Sequence, residues 1–480
     1  MKKQLKNLIS ILLLFSLLMG ILVSCSPSEA DKLNRMEEPD RAMALSELIS
    51  VNGEAADSYT VEIEVSLECV YQEVDVEVNA EGSMYYTGLK GDSPAYHSST
   101  TTKTEAMEGE IENTTRVQEG FRDGKMYRYY REDGVRQRLY SPISWEDFGK
   151  YMESRNDVTE FDFKDGDCTD ITCAQQEDGS WFATMKGFTE DGITPFREMI
   201  ADFEEMLGED FAIADVSFTF TTTEDFYLSA FTMEYTFEAL NEDNEEDPPV
   251  MKLEAEIGKY NATEPQEIDF DDYTEVVDLR LLDVPEKSMK EFSDGEKGKF
   301  QFDINQRVLL GTQKNELIES DLVSFANKDG KYTYQVEAEQ NNYEIFMTYT
   351  SGTASTVVKE RGQVISNTSE ESTDEEAKAF IDGLLQQTVF DSNRVSDIEK
   401  KKGEKNTYIF RMKPKDNELL MSVVDSVGAE EPSKVDTLEY TATIEDDKLL
   451  RFSLVIDAEI ETAEGTLYFD ISLVYDFTVD

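Results

Sequence analysis

Alternating apolar and polar positions dominate this chain, and two stretches of that alternation echo each other. Val216, Phe218 and Phe220 alternate, Glu224-Asp225 turns the chain, and Phe231, Met233, Tyr235 and Phe237 alternate after it. Further on, Leu438, Tyr440, Ala442 and Ile444 alternate, Glu445-Asp446-Asp447 supplies the turn, and Phe452, Leu454, Ile456 and Ala458 follow. A period of two sends successive side chains to opposite faces of a strand, so each stretch predicts a hairpin with one apolar face. The echo runs on in both directions. Thr169-Asp170-Ile171 through Trp181, Met185 and Lys186 matches Ser396-Asp397-Ile398 through Tyr408, Met412 and Lys413 without a gap, and Phe163 falls on Phe390. Downstream, Met251, Leu253, Ala255 and Ile257 correspond to Leu467, Phe469, Ile471 and Leu473. Between these strands each copy has a patch at helical spacing. Phe196, Met199, Ile200, Phe203, Met206 and Leu207 form the first, and Leu419, Leu420, Val423, Val424 and Val427 form the second. Gly208 and Gly428 stand as their C-terminal stops.

The openings of the two copies are looser. The first predicts a helix around Ala42 to Ile49, then strands at Tyr59 to Cys69, Val74 to Ala80 and Met84 to Tyr86. A polar Ser/Thr/Glu stretch follows, and then Val117 to Gly120 and Phe121 to Tyr127. The second offers Phe300-Phe302-Ile304, then Tyr332 to Ala338 paired with Tyr343 to Tyr349 across Asn341-Asn342. A crossover helix is expected in each, at Trp145 to Met152 and Asp374 to Leu385. A sheet with one apolar face must cover it, and inserted helices are the natural cover. The expected fold class is therefore α+β: two tandem curved antiparallel sheets, or half-barrels, each covered by inserted helices. The expected boundaries are residues 46–273 and 293–480, joined by a linker over 274–292.

Composition and charge narrow the setting. Hydrophobic residues make up 39% of the 480 and aromatics 11%, enough for real cores. The formal charge is −58, from 103 acidic and 45 basic residues. Such a surface repels phosphates, so no nucleic acid partner is expected, and broad docking on anionic headgroups is disfavoured. At the start of the chain Lys2, Lys3 and Lys6 precede an apolar run from Leu8 to Val23, the order of a secretion signal. That run ends in Leu22-Val23-Ser24-Cys25, which resembles the lipobox of bacterial lipoproteins. The resemblance implies a signal peptide over residues 1–24, cleavage after Ser24 and lipidation of Cys25. Residues 26–45 read as a polar tether, making 25–45 a flexible mooring with the body outside the cytoplasm.

Three cysteines remain: Cys69 on the apolar face of Tyr59, Val61, Ile63, Val65 and Leu67, and the pair Cys168 and Cys173, whose spacing leaves a small bridge open. His97, the single histidine, lies in a Ser/Thr/Tyr stretch without a second soft ligand. No metal site and no cofactor are expected. The acidic runs Asp162 to Asp170 and Asn241 to Asp247 read as solvated loops, the first lacking the distal bidentate glutamate of an EF-hand. No G-x-S-x-G, H-E-x-x-H or phosphate-cradling glycine loop occurs, and the expectation is a protein that is not an enzyme.

Signal, lipobox and element order together resemble the LolA/LolB-type fold and its LppX/LprG-like lipoprotein relatives. The strand–Asp123-Gly124-Lys125-Met126-Tyr127–helix passage carries the likeness, with the hairpins at Phe231-Thr232-Met233 and Phe452-Ser453-Leu454. The resemblance implies a curved sheet capped by helices, with acyl chains held between. Two sets of side chains are then the ligand-cavity candidates: Phe218, Phe220, Phe231, Met233, Tyr235 and Phe237, and Tyr440, Phe452, Leu454, Ile456, Phe469 and Ile471. The function expected is a membrane-anchored extracytoplasmic lipoprotein that binds a lipid or other hydrophobic ligand. The alternative is an acidic envelope module that meets a cationic partner, or serves structurally, with no small ligand and with those faces packed as ordinary core.

Overall fold

The computed structural model describes residues 29–479 apart from 72–73, 107–110, 133, 156–165, 201–210, 240–247, 329–330, 341, 389 and 464. Cys25, the signal segment, Phe163, Phe203 to Gly208 and Asn241 to Asp247 therefore lie outside the described residues. The chain divides into two compact units, residues 1–136 with 142–271 and residues 137–141 with 272–480.

In the first sheet, helices α1 (Glu29–Leu33) and α2 (Glu38–Ala55) come before six strands: β1 (Tyr59–Tyr71), β2 (Val74–Thr87), β3 (Ala95–Ala106), β4 (Ile111–Arg122), β5 (Lys125–Glu132) and β6 (Val135–Pro142). Helix α3 (Trp145–Arg155), β7 (Cys168–Gln175), β8 (Trp181–Phe188), α4 (Glu190–Met199), β9 (Phe211–Thr222), β10 (Leu228–Ala239) and β11 (Val250–Gly258) complete it. The strand order is β6-β5-β4-β3-β2-β1-β11-β10-β9-β8-β7, with the short β12 (Thr274–Glu275) added beside β6.

The second sheet follows the same plan. Helix α5 (Val284–Ser293) leads into β13 (Lys297–Leu310), β14 (Gln313–Lys328), β15 (Lys331–Gln340), β16 (Tyr343–Thr350), β17 (Thr353–Glu360) and β18 (Gln363–Glu371). Then come α6 (Asp374–Leu385), β19 (Val395–Lys400), β20 (Thr407–Met412), α7 (Glu418–Ser426), β21 (Lys434–Glu445), β22 (Lys448–Thr462) and β23 (Gly465–Asp476). Its order, β18-β17-β16-β15-β14-β13-β23-β22-β21-β20-β19, repeats the first. Six strands in succession, a helix, two strands, a helix and three strands make each sheet, and the last strand pairs beside the first.

The α+β expectation, with helices covering both sheets, needs correction. The protein is mostly β, built on sheets of 12 and 11 strands. Width is the physical reason. Eleven strands at about 4.8 Å spacing make a sheet roughly 50 Å across. The 12 residues of α6 span only about 18 Å of that. Helix α6 lies against one part of it: Ala377, Ile381 and Leu385 are buried, Phe380 packs on Tyr334, and the Tyr475 hydroxyl donates to the Leu384 carbonyl at 2.6 Å. In the first unit α3 does the equivalent, setting Trp145 and Phe148 against Phe121 and Phe148 against Tyr96. Residues 274–292, expected as a linker, hold β12, a 3-10 turn at Leu279–Leu282 and most of α5.

The passage at Asp123 to Tyr127 also differs from expectation. It is strand–turn–strand, not strand to helix: Asp123 and Gly124 both take positive φ, 52° and 73°, the geometry of a two-residue hairpin turn between β4 and β5. Cys168 and Cys173 are free thiols on one strand. Five residues of strand separate their backbones by about 16 Å, far beyond the roughly 7 Å a disulfide spans, so the bridge left open by spacing does not form. Burial pushes the Cys173 thiol up to about 11, and Cys69 is likewise buried and raised.

Candidate functional site

Cross-strand register shows which side chains share a face in the first sheet. One row runs Phe218, Met233, Leu253, Val65, Ala80, Thr102 and Thr115 across seven strands. The row beside it runs Phe220, Phe231, Ala255, Ile63, Gly82, Thr100, Val117 and Tyr130. A single face therefore begins aromatic on β9 and β10 and ends in hydroxyls on β3 and β4. Phe218, Phe220, Phe231, Met233, Tyr235 and Phe237 all lie buried on its aromatic side. Phe196 of α4 is in ring contact with Phe218, which also meets Phe220 and Phe231, so helix cover reaches this patch.

The hydroxyl side is a buried polar wall that the sequence reading passed over. Ser98, Thr100, Thr102, Thr115, Glu119, Arg128 and Glu132 are all buried there. Glu119 and Arg128, only 6% and 3% exposed, stand opposite each other on β4 and β5 with carboxylate and guanidinium 3.3 Å apart. Glu132 accepts from Asn113 at 2.7 Å, from Thr115 at 3.3 Å and from the Tyr130 hydroxyl. Two atoms of the wall keep acceptor capacity unused: Thr102 Oγ1 and Asn113 Oδ1 are buried without a hydrogen-bond partner. Buried polar atoms are rarely left so, and each costs on the order of 1–3 kcal/mol. Met126-Tyr127-Arg128-Tyr129-Tyr130 was the signal in the sequence, since a strand with aromatics on both parities is covered on both faces.

On the opposite face of the same strands His97 packs beside Tyr85, and its Nδ1 lies 2.7 Å from the Tyr127 hydroxyl in a hydrogen bond. Gly120, between them on β4, makes this contact fit: any Cβ there would fall on the Tyr127 hydroxyl and the Tyr96 carbonyl. Phe270 meets Tyr127 edge-on and closes over it. Burial, with the Arg116 charge adding to it, brings His97 down to about 4, so the ring is neutral at pH 7. Among the described residues no group of three or more His, Cys, Asp or Glu is placed to hold a metal ion.

In the second unit the face pattern recurs. Tyr440, Phe452, Leu454, Ile456, Phe469 and Ile471 are buried. Phe390 stands edge-on against Phe410, Tyr440 and Phe452, and Tyr440 is further pinned by Asn417, which donates to its hydroxyl at 2.8 Å. The row of Phe452 continues through Tyr475 and Phe302 to Asp321, Ala338 and Ile345.

No protein-family profile matches this chain, and no curated protein sequence does. Some solved structures do. OprD of Pseudomonas aeruginosa is 7% identical, covering 88% of this chain and 94% of its own, with a TM-score of 0.14. The translocator domain of autotransporter NalP from Neisseria meningitidis is 5% identical over 91% and 96%, at 0.11. The transport unit of autotransporter AIDA-I from Escherichia coli is 5% identical over 92% and 98%, also at 0.11. TM-scores this low assign no fold and no family. The resemblance to LolA/LolB-type and LppX/LprG-like lipoproteins is corrected by the fold itself: the Asp123 to Tyr127 passage that carried it joins two strands, and the sheets of 12 and 11 strands are far wider than their helices. Its motifs, an Asp-Gly hairpin turn and alternating strand pairs, are what any long antiparallel meander uses.

Among the described residues no helix is long and apolar enough to cross a membrane.

Proposed function

We propose that this is a cell-envelope protein, moored to a membrane by acyl chains on Cys25, whose first sheet binds an amphipathic ligand along its inner face. The location rests on the order of Lys2, Lys3, Lys6, the apolar run and Leu22-Val23-Ser24-Cys25. Two acyl chains suffice for stable attachment of a body this acidic. The ligand reading is carried by one observation: the row from Phe218 to Thr115 changes from aromatic to hydroxyl without leaving the face. A ligand with an apolar body and an uncharged, donor-bearing head would use both ends. Its body would lie on the Phe and Met side chains. Its donors would meet the unused Thr102 and Asn113 oxygens. We read the protein as a binder, with neither cofactor nor chemistry of its own.

Native mass spectrometry of the body expressed into an envelope compartment tests this. One amphipathic molecule per chain is expected, and it should be depleted in Thr102→Val. A double replacement, Glu119→Leu with Arg128→Met, should also reduce it while avoiding the cost of about 3–5 kcal/mol that stranding one buried charge brings. Repeated absence of any adduct would end the ligand reading.

A second reading has its own observation. On the other face of the first sheet Glu62 opposes Glu256, Glu64 opposes both Glu254 and Glu81, and Glu68 opposes Glu77. Directly facing like charges cost stability. A cationic partner protein laid on this ladder would relieve it, and salt would weaken that complex.

A further inference from the structure

We propose that the second sheet binds an amine-bearing apolar molecule, its ammonium group held by Asp321. This site lies in the second unit and does not rest on the reading given for the first. Asp321 interrupts a row of apolar residues: Phe302 precedes it and Ala338 follows it across the strands, and Val323 lies two residues along β14. It is 2% exposed, and its Oδ1 has no hydrogen-bond partner. The charges that act on it, Glu319 and Asp303, are both acidic. Glu319 shares the same face, hydrogen-bonds the Asp321 side chain and accepts from Gln340 Nε2 at 2.8 Å. Burial first, then the neighbouring carboxylates, lift the Asp321 carboxyl to about 7. Fully buried carboxylates are ordinarily paired with a cation or a set of donors, and this one has neither at Oδ1.

Access follows from how burial changes along the strands. Val323 and Asp321 are buried, but Glu319 and Leu317 beyond them are only half-buried, as are Ile304 on β13 and Ile345 on β16. The face thus opens just past Asp321, with apolar side chains around a carboxylate. A bare divalent ion would find two carboxylates and an amide on this face, fewer oxygens than the six to eight calcium takes. An ammonium on an alkyl body matches both the charge and the lining.

Isothermal titration of the full chain with decylamine, decanoate and decanol separates the alternatives. Decylamine should bind at one site per chain at pH 8.5, with decanoate at least tenfold weaker. Asp321→Asn, nearly isosteric, should weaken decylamine at least tenfold and leave decanol unchanged. Below pH 7 the amine must displace the carboxyl proton, so binding enthalpy should vary with buffer ionisation there and not at pH 8.5. A second variant, Asp321→Leu, should give the same loss and keep the wild-type circular dichroism. Equal binding of decylamine to wild type and Asp321→Asn, equal binding of decanoate, or no binding of decylamine would each overturn the proposal.

Discussion

His97 shows at the level of one residue how local packing fixes a protonation state. Its ring is buried beside Tyr85 and Tyr127, and the Arg116 charge adds to the burial, so the folded unit refuses a proton that the unfolded chain accepts at an ordinary value near 6.5. With the folded value at about 4, the unfolded state binds more protons between pH 6.5 and 4. Stability must then fall as pH falls through that window, by up to about 3 kcal/mol for this group. Carboxylates titrate in the same range, so the test is a difference. Trp145 and Trp181 are the chain's two tryptophans, and both lie in the first unit, so their fluorescence reports its unfolding. Relative to His97→Gln, the wild type should lose stability from pH 7 to pH 4.5. A difference that stays flat over that range would show that the ring is not held neutral. Asp321 carries the opposite sign. Its folded value lies above its unfolded one, so its contribution is present at low pH and disappears as pH rises through about 7.

At the level of elements, the strands β1, β2 and β11 set like charges against one another by register alone. Glu64 faces Glu254 on one side and Glu81 on the other, all exposed. Glu64→Lys should raise the melting temperature of the first unit, with a gain of about 1 kcal/mol in low salt that shrinks by half or more at high salt. An unchanged or lower melting temperature in low salt would mean the ladder carries no strain. The same strands explain what could be read beforehand. Tyr59 to Leu67 alternate because one face is buried, and α6 announced its start, since Thr373 and Glu376 form a capping box. Strands β17 and β18 gave no such period: Gln363–Glu371 is exposed at every position, so nothing in its polarity separates the faces. Strand β3 failed for another reason. Its inward residues Ser98, Thr100 and Thr102 are polar although buried, which made a core strand look like a loop. Missing these strands is what made the helices look large enough to cover the sheets.

For the whole molecule, the same strand order drawn twice gives two faces that begin aromatic; one ends in threonines, and the other is interrupted by Asp321 before Ala338 and Ile345 resume the apolar row. The aromatic ends were visible in the sequence because Phe218 to Phe237 and Tyr440 to Ile456 alternate strictly. The polar positions were not, since their chemistry depends on which strands lie side by side. The aromatic parts recur, and the buried polar positions differ in charge, so each unit would select a different head on a similar body. Labelling with a photoreactive amphiphile, its alkyl chain carrying a diazirine and its head a second crosslinker, tests the central claim most directly. If the first sheet binds along the graded face, the chain label will fall within residues 211–239 and the head label within residues 95–122, both competed by unlabelled ligand. Labels confined to the exposed outer faces, or unaffected by competitor, would contradict it.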